Sequence, residues 1–176
     1  MTPAEIRRIR DEKPSKFFSF EEGDSTIRLV SPMELVFKVF HGGTADTFRD
    51  YKLAKELADS LPPKADGKPI RPSDRFLCWI INRKNKQVQL AEIPGSVGYG
   101  IADLDEKKGY GFVDNIPPYD ITVTADDTTG FREYSWLADR ENSPLTASEQ
   151  QEIEKLENIK ELADKMRDVA SDMGEA

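Results

Sequence analysis

Features that are common in enzymes and in secreted proteins are scarce in this chain of 176 residues. It holds one cysteine, Cys78, and one histidine, His41, which excludes a disulfide framework or a structural zinc finger within a single chain. No apolar run approaches the roughly 20 residues that span a bilayer. The basic N-terminus also lacks the apolar segment of a secretory signal. We therefore expect an intracellular, cytoplasmic protein with no membrane partner.

Catalytic motifs are also missing. No serine stands in a Gly-x-Ser-x-Gly setting, and a Ser–His–Asp triad would have to use His41, with no nucleophile placed beside it. The segments Gly98-Tyr-Gly100 and Gly109-Tyr-Gly111 lack the Gly-Lys-Ser/Thr of a phosphate-binding loop. The carboxylate pair Asp126-Asp127 fits a turn more simply than a general acid–base pair. The sequence favours a binding module over an enzyme, and it predicts neither a cofactor nor a bound metal.

Positive charge is in deficit, since the formal net charge is −8. Taken alone, that value argues against nucleic acid as a partner. The acidity is concentrated at one end, however. The segment from Glu149 to the C-terminus holds nine acidic and four basic residues, so the first 148 residues carry only −3. The charge therefore leaves nucleic acid open as a partner for the body of the chain, and it sets the C-terminal segment apart.

Short strand-like segments, separated by glycine, proline, asparagine and aspartate, make up most of the chain. Apolar and alternating runs predict strands at 24–30, 34–40, 75–82, 87–93, 119–125 and 132–137, with a short helix at 95–106. Such strands indicate a small antiparallel sheet that curls into a barrel or a sandwich. Cys78 lies in the middle of an apolar strand, and we expect it in the core.

Two segments interrupt or precede these strands. Residues 1–22 form an N-terminal arm with five basic residues before a cluster of phenylalanines. The arm is either a packed or frayed extension or a flap beside a phosphate backbone. Residues 44–74 are an insertion after the second strand, in which Thr47 is expected to cap a helix at 48–60.

The C-terminal segment, residues 144–176, is predicted to be an acidic helix. It opens with the capping-box pattern Thr146-Ala-Ser-Glu149. Its apolar residues then recur at alternating threes and fours, in the heptad-like manner of a helix that packs on something: Ile153, Leu156, Ile159, Ala163, Met166, Ala170 and Met173. Packing on its own domain and packing on a second copy or another protein are both open.

Bases and aromatics are interleaved on the predicted strands. Lys38 and Phe40 share a face of the second strand, and even spacing puts Arg75, Trp79 and Arg83 on one face of the next. Three more candidates follow in turns and glycine-flanked segments: Lys84, Lys86 and Tyr110. Stacking contributes about 1–3 kcal/mol per base and a basic groove holds phosphates, so the pattern fits a single-strand binder. The alternative is that Trp79 and Phe40 belong to the core.

A series of loosely spaced positions carries a family resemblance over roughly residues 17–146. The positions are Ile27-Arg-Leu-Val30 with Pro32, Phe37-Lys-Val-Phe-His41, Asn82-Arg83, Val88-Gln-Leu-Ala-Glu-Ile-Pro94, Val97, Ile101, Asp114, Tyr119-Asp-Ile121, Tyr134 and Pro144-Leu-Thr146. In these the chain resembles the bacteriophage single-stranded-DNA-binding proteins of the oligonucleotide/oligosaccharide-binding (OB) fold. It is most similar to diverged relatives of the T-even helix-destabilising protein.

The resemblance implies a mainly β protein, with an OB-fold barrel at 23–143 that carries the insertion 44–74, and the acidic helix at 144–176. It implies sequence-independent, salt-sensitive coating of single strands during phage replication or recombination. The acidic segment would compete with DNA for the basic groove and recruit replication or recombination proteins. Many members hold zinc in this insertion through cysteine and histidine, but here the insertion has no cysteine, so no metal is expected.

Under this hypothesis each candidate has a role. We expect Trp79, Phe40 and Tyr110 to stack on bases. We expect the cations to hold phosphates: Lys38, Arg75, Arg83, Lys84 and Lys86. The alternative function is a non-catalytic protein-interaction module that uses its C-terminal helix, with self-association as one form of that interaction.

Overall fold

A computed structural model describes residues 1–6 and 17–174, with side chains as far as Met166. Within this part of the chain, eight strands form a single sheet: β1 Phe17–Phe18, β2 Gly23–Leu29, β3 Glu34–His41, β4 Thr44–Phe48, β5 Ser73–Asn82, β6 Gln87–Pro94, β7 Ile121–Asp126 and β8 Glu133–Ala138. The longer helices are α1 Tyr51–Ser60, α2 Gly95–Leu104, α3 Ala147–Glu154 and α4 Ile159–Gly174. Residues 3–6 are also helical. The basic residues of the arm between 7 and 16 lie outside the described residues.

Strand β5 is the central strand of the sheet. One edge pairs antiparallel with β6 from Arg75 to Asn82. The other edge is shared, because β3 pairs with its first half and β2 with its last three residues. Ser31 supports the crossing between β2 and β3: its hydroxyl accepts a hydrogen bond from the Trp79 amide at 2.9 Å. Ser31, which lies between β2 and β3, thus supplies a side-chain hydrogen bond to β5 where no strand supplies a backbone one.

The strand order β1-β6-β5-β2-β7-β8, with β3 and β4 attached at β5, describes an open sheet. The structure is mixed α/β with a core that is mostly sheet, and it has helices in the insertion and in the C-terminal segment, as predicted. The predicted barrel is not confirmed, because the sheet is open and β1 and β8 are both edges. Side chains bring these edges together instead: the rings of Phe20 and Tyr134 lie 6.0 Å apart, and Arg132 donates to the Phe20 carbonyl at 2.7 Å.

The main core lies between the inner faces of the strands and helix α2. Strict alternation turns Phe76, Cys78 and Ile80 of β5 inward, where they meet Val97 and Ile101 of α2. Cys78 is fully buried, which confirms its predicted place in the core. Glycines let α2 approach the sheet closely: a Cβ atom on Gly100 would lie 1.9 Å from the Trp136 ring.

The insertion differs from its prediction at its start. Thr47 does not cap a helix; it lies in β4 and pairs with Lys38 of β3. The chain reverses at Gly42-Gly43, both with positive φ, and so forms a hairpin before the helix. Asp50 is the actual cap and accepts from the amide of Lys52 at 2.8 Å.

The C-terminal segment forms two helices rather than one. The capping box of Thr146 and Glu149 is present at the start of α3, as predicted. The first helix ends at Glu154, and Asn158 accepts from the amide of Glu161 to begin α4. Helix α4 packs on its own domain, with Ile159 and Ala163 buried in a second core cluster. The side chains of Ala170 and Met173 lie outside the described residues.

Apolar contacts and an ion pair hold α4 against the outer face of the sheet. Ile159 and Ala163 meet Val36, Leu77 and Leu90 on the outer face of the sheet. Arg49 donates both to Asp164 of α4, at 3.2 Å, and to Glu34 of β3, at 2.8 Å.

No helix among the described residues is long and apolar enough to cross a membrane.

Candidate nucleic-acid interface

The outer face of β3, β5 and β6 carries a cluster of charged and aromatic side chains. Alternation on β5 turns Arg75, Leu77 and Trp79 outward, opposite to the core residues. The register of β3 against β5 then puts Lys38 and Phe40 on the same side as Arg75. The predicted group Lys38, Phe40 and Arg75 is therefore brought together.

Glu92 of β6 completes this group, which we call the ledge (Lys38, Phe40, Arg75 and Glu92). Lys38 Nζ lies 2.7 Å from Glu92 Oε1, and Arg75 Nε lies 3.9 Å from the same oxygen. Lys38 Nζ also lies 5.5 Å from the centre of the Phe40 ring, and Arg75 Cζ lies 5.7 Å from it. Phe40 is 47% exposed, so its ring lies close to two cations and is also partly open to solvent.

A cleft of about 340 Å³ opens beside the ledge and is called the Phe40 cleft. Residues 17–20 and strands β5 and β6 supply most of its lining. Its lining is mostly apolar: Phe17, Phe18, Phe20, Leu77, Leu90, Pro94, Tyr134 and Met166, together with Ser19 and the ledge residues. A concave apolar wall with a few charged groups at its rim is typical of a ligand site.

Trp79, expected to stack on bases, is covered by the C-terminal segment. It is half-buried and packs against the second core cluster, which contains Ile159 and Ala163 of α4. Its indole Nε1 donates to the carbonyl of Glu157 at 2.9 Å. Trp79 shares the face of the ledge, but the apolar face of the amphipathic helix α4 already packs on that part of the sheet.

Arg83, expected to hold phosphate, is engaged by two carboxylates. It contacts Asp120 at 3.1 Å and Glu149 at 2.8 Å. Burial lowers the pKa of Arg83, but its hydrogen bonds and charge pairing with these carboxylates outweigh this, so the pKa is raised. Arg28 joins the same network through Asp120 at 3.6 Å and donates to Ser143. Arg83 therefore anchors α3 to the sheet, and it also lines a depression of about 1010 Å³ next to Lys84.

The remaining candidates lie away from the ledge. Lys84 and Lys86 are exposed in the turn that joins β5 to β6, at the opposite end of β5 from Arg75. Lys84 borders a separate depression of about 1010 Å³ that also contains Glu21, Glu22 and Asp24. These two lysines are accessible, but the structure does not bring them to the ledge.

Tyr110 belongs to the inner side of the sheet. It is half-buried against the main core, and its ring lies edge-on to that of Tyr119 at 5.6 Å. The Tyr119 hydroxyl donates to the Tyr110 carbonyl at 2.7 Å. Tyr110 therefore packs on the core, because its glycine-flanked segment folds onto it, and its stacking on a base stays a prediction.

Sequence reasoning missed the two features that complete the site. Glu92 stands two residues after Leu90 on β6, and this spacing could have placed both side chains on the outer face. The wall formed by Phe17 and Phe18 depends on a short parallel pairing with β6, for which the sequence carries no signal. Among the described residues, no group of three or more histidine, cysteine, aspartate or glutamate side chains is arranged to hold a metal ion.

Comparisons with protein-family models, with curated proteins and with solved structures find no match to this chain. Function is therefore argued from the ledge and its surroundings. Their geometry offers a half-exposed aromatic ring, two cations and a shared carboxylate beside an apolar cleft. This combination can stack a flat ring, attract an anion and accept a hydrogen bond.

Proposed function

We propose that the protein binds single-stranded DNA at the ledge and coats exposed strands without reading a defined sequence. The observation that carries this proposal is the half-exposed Phe40 ring flanked by Lys38 and Arg75. Non-specific single-strand binders combine aromatic rings that stack on bases with cations that follow the phosphates. By this proposal the role is stoichiometric and non-catalytic, in replication or recombination of a phage.

We propose an OB fold as the framework, and the strand pairing supports it. Strand β2 pairs with both β5 and β7, and helix α2 lies between β6 and β7. If β2 and β3 count as one bent first strand, β5 and β6 are the second and third. An OB fold is a partly open five-stranded barrel that binds oligonucleotides on the face of those two strands. The ledge lies on that face.

Charge limits how tightly the ledge can hold phosphate. Glu92 already pairs with Lys38 and approaches Arg75, so a phosphate has to compete for both cations. Two phosphate contacts on a single strand correspond to a slope of about −1.4 for log affinity against log salt. The proposal thus predicts moderate affinity with a shallow salt dependence.

The C-terminal segment is part of the proposal. Helix α4 covers Trp79, Leu77 and Leu90, which continue the face on which the ledge lies. We propose that α4 competes with a bound strand for this face, and that the acidic segment engages replication or recombination proteins when it is displaced. Trp79 then becomes a second stacking ring.

The proposal is tested by titrating labelled oligo(dT) and a duplex of matching length, at about 50 and 200 mM salt. We expect binding to the single strand alone, with weaker binding at the higher salt. Equal binding to single strand and duplex, or no binding at the lower salt, would contradict it. Fluorescence anisotropy gives both affinities on the same protein sample.

A second candidate function, a protein-interaction module that uses the C-terminal segment, rests on a different surface. An apolar groove of about 620 Å³ runs between residues 28–30, 113–118 and 142–153. Val113 is exposed at its rim, and Ile153 of α3 lines it. If the protein does not bind single strands but self-associates in solution, that result would favour this function.

A further inference from the structure

Glu92 lines the Phe40 cleft and has one carboxylate oxygen that is open to a ligand. Its Oε1 atom accepts from Lys38 at 2.7 Å, and this contact holds the side chain in place. Its Oε2 atom has no hydrogen-bond partner among the described residues. An ionised carboxylate accepts hydrogen bonds and donates none. A ligand that enters this cleft with a polar edge therefore meets an acceptor that selects for donors.

The walls of the cleft suit a flat ring. Leu90 and Pro94 line it from β6, and Phe17 and Phe18 line it from the neighbouring strand β1. Phe40 lies at the rim with about half of its surface exposed. Contact with such aromatic and aliphatic side chains gives the most binding free energy to a planar apolar ligand, because its faces are removed from water. Because Lys38 and Arg75 stand at the same rim, a phosphate joined to that ring is also accommodated.

The bases differ in what they offer to a carboxylate. Cytosine carries an N4 amino donor and adenine an N6 amino donor, whereas thymine has the O4 acceptor at the corresponding position. The N3–H of thymine stands between two carbonyl oxygens, which would face the carboxylate as it approached. A carboxylate in the cleft therefore favours bases with an exocyclic amino group.

We propose that the Phe40 cleft takes one nucleobase of the bound strand and that Glu92 makes it prefer amino-bearing bases over thymine. This inference rests on the proposed function, since it concerns the same strand at the same site. It adds a modest preference to binding that is otherwise carried by stacking and phosphate contacts. Glu92 is the specificity-determining residue, and Lys38 holds its carboxylate in position.

The test compares oligo(dC) with oligo(dT) of equal length, at neutral pH and one salt concentration. We expect wild-type protein to bind oligo(dC) about tenfold more tightly. Glu92→Gln is expected to bring this ratio close to one, because an amide both donates to O4 and accepts from N4. The substitution also releases Lys38 and Arg75, which strengthens binding to both oligonucleotides, so the ratio between them is the readout.

Two controls keep the result interpretable. Glu106→Gln makes the same change of charge at an exposed position outside the cleft, and we expect it to keep the wild-type ratio. Oligo(dC) whose cytosines carry N4,N4-dimethyl groups removes the donors from the ligand and leaves the protein unchanged. It should bind wild-type protein as weakly as oligo(dT) does, even if the Glu92 variant fails to fold.

The outcomes separate the two proposals. Tight and equal binding of both oligonucleotides by wild-type protein would overturn the role of Glu92 and leave single-strand binding intact. A preference that survives in Glu92→Gln, or with the dimethylated ligand, would overturn it as well. Failure of every oligonucleotide to bind would overturn the proposed function and this inference together.

Discussion

The Trp79 indole donates to the carbonyl of Glu157 at 2.9 Å, which attaches the C-terminal segment to the outer face of β5. Residue 79 belongs to the central strand, and residue 157 belongs to the link between α3 and α4. This contact joins the less charged body of the chain to the acidic C-terminal segment. It also brings the acidic segment to the face of the sheet that carries the ledge.

Loosening α4 should strengthen binding to single strands. Ile159→Ala removes a buried side chain that holds α4 on the sheet, and buried isoleucine-to-alanine changes cost about 2–5 kcal/mol. We expect faster amide hydrogen exchange in α4 and tighter binding of oligo(dT). Leu156→Ala, a half-buried position in the link, is the control. Faster exchange with unchanged affinity would show that α4 does not compete.

Removing the Phe40 ring should weaken single-strand binding without unfolding the protein. Phe40→Ala deletes a half-exposed stacking surface, and loss of one base–aromatic stack costs about 1–3 kcal/mol of binding free energy. Tyr99→Ala is the matched control, because Tyr99 of α2 is 48% exposed against 47% for Phe40. Anisotropy titration of oligo(dT) compares the two variants. Equal losses in both would argue against a specific role for the ledge.

Arg83 should matter for stability rather than for binding. Arg83→Ala leaves Asp120 and Glu149 without their main cationic partner, and hydrogen bonds to charged groups contribute about 1.5–3 kcal/mol each. We expect a lower midpoint of urea unfolding and little change in affinity for oligo(dT). Lys84→Ala removes a neighbouring exposed cation and should leave the midpoint unchanged. A large loss of affinity in Arg83→Ala with unchanged stability would restore its predicted contact with phosphate.

Stability should fall as the pH rises above about 9. Complete burial raises the pKa of the Cys78 thiol from its ordinary 9.0 to about 12. The unfolded chain therefore loses this proton first, so the free energy of unfolding falls between these two values. The slope contributed by one group approaches about 1.4 kcal/mol per pH unit.

Urea unfolding at a series of alkaline pH values measures that slope. Cys78→Ala should give a shallower decline, even though it lowers stability at every pH. Burial also raises the pKa of Tyr119 to about 12, so Tyr119→Phe should flatten the decline further. An unchanged slope in Cys78→Ala would show that the thiol titrates normally in the folded protein.

Local pattern was enough to predict most of the elements. Alternation and turn residues predicted the paired strands around Arg75 and Gln87, and the capping box predicted the start of α3 at Thr146. Period-two alternation also predicted that Lys38 and Phe40 share one face of β3 and that Arg75 and Trp79 share one face of β5. These features depend on residues close together in the chain, where steric and hydrogen-bonding preferences act directly.

Long-range contacts decided the rest. The sheet stays open because β1 and β8 are its edges, and no local pattern specifies how distant edges meet. Trp79 is covered because the apolar face of α4, some eighty residues later in the chain, packs on the same part of the sheet. Arg83 is paired with Asp120 and Glu149. Each outcome depends on which distant surface offers the greater gain in burial or charge pairing. Only the folded chain brings those alternatives into competition.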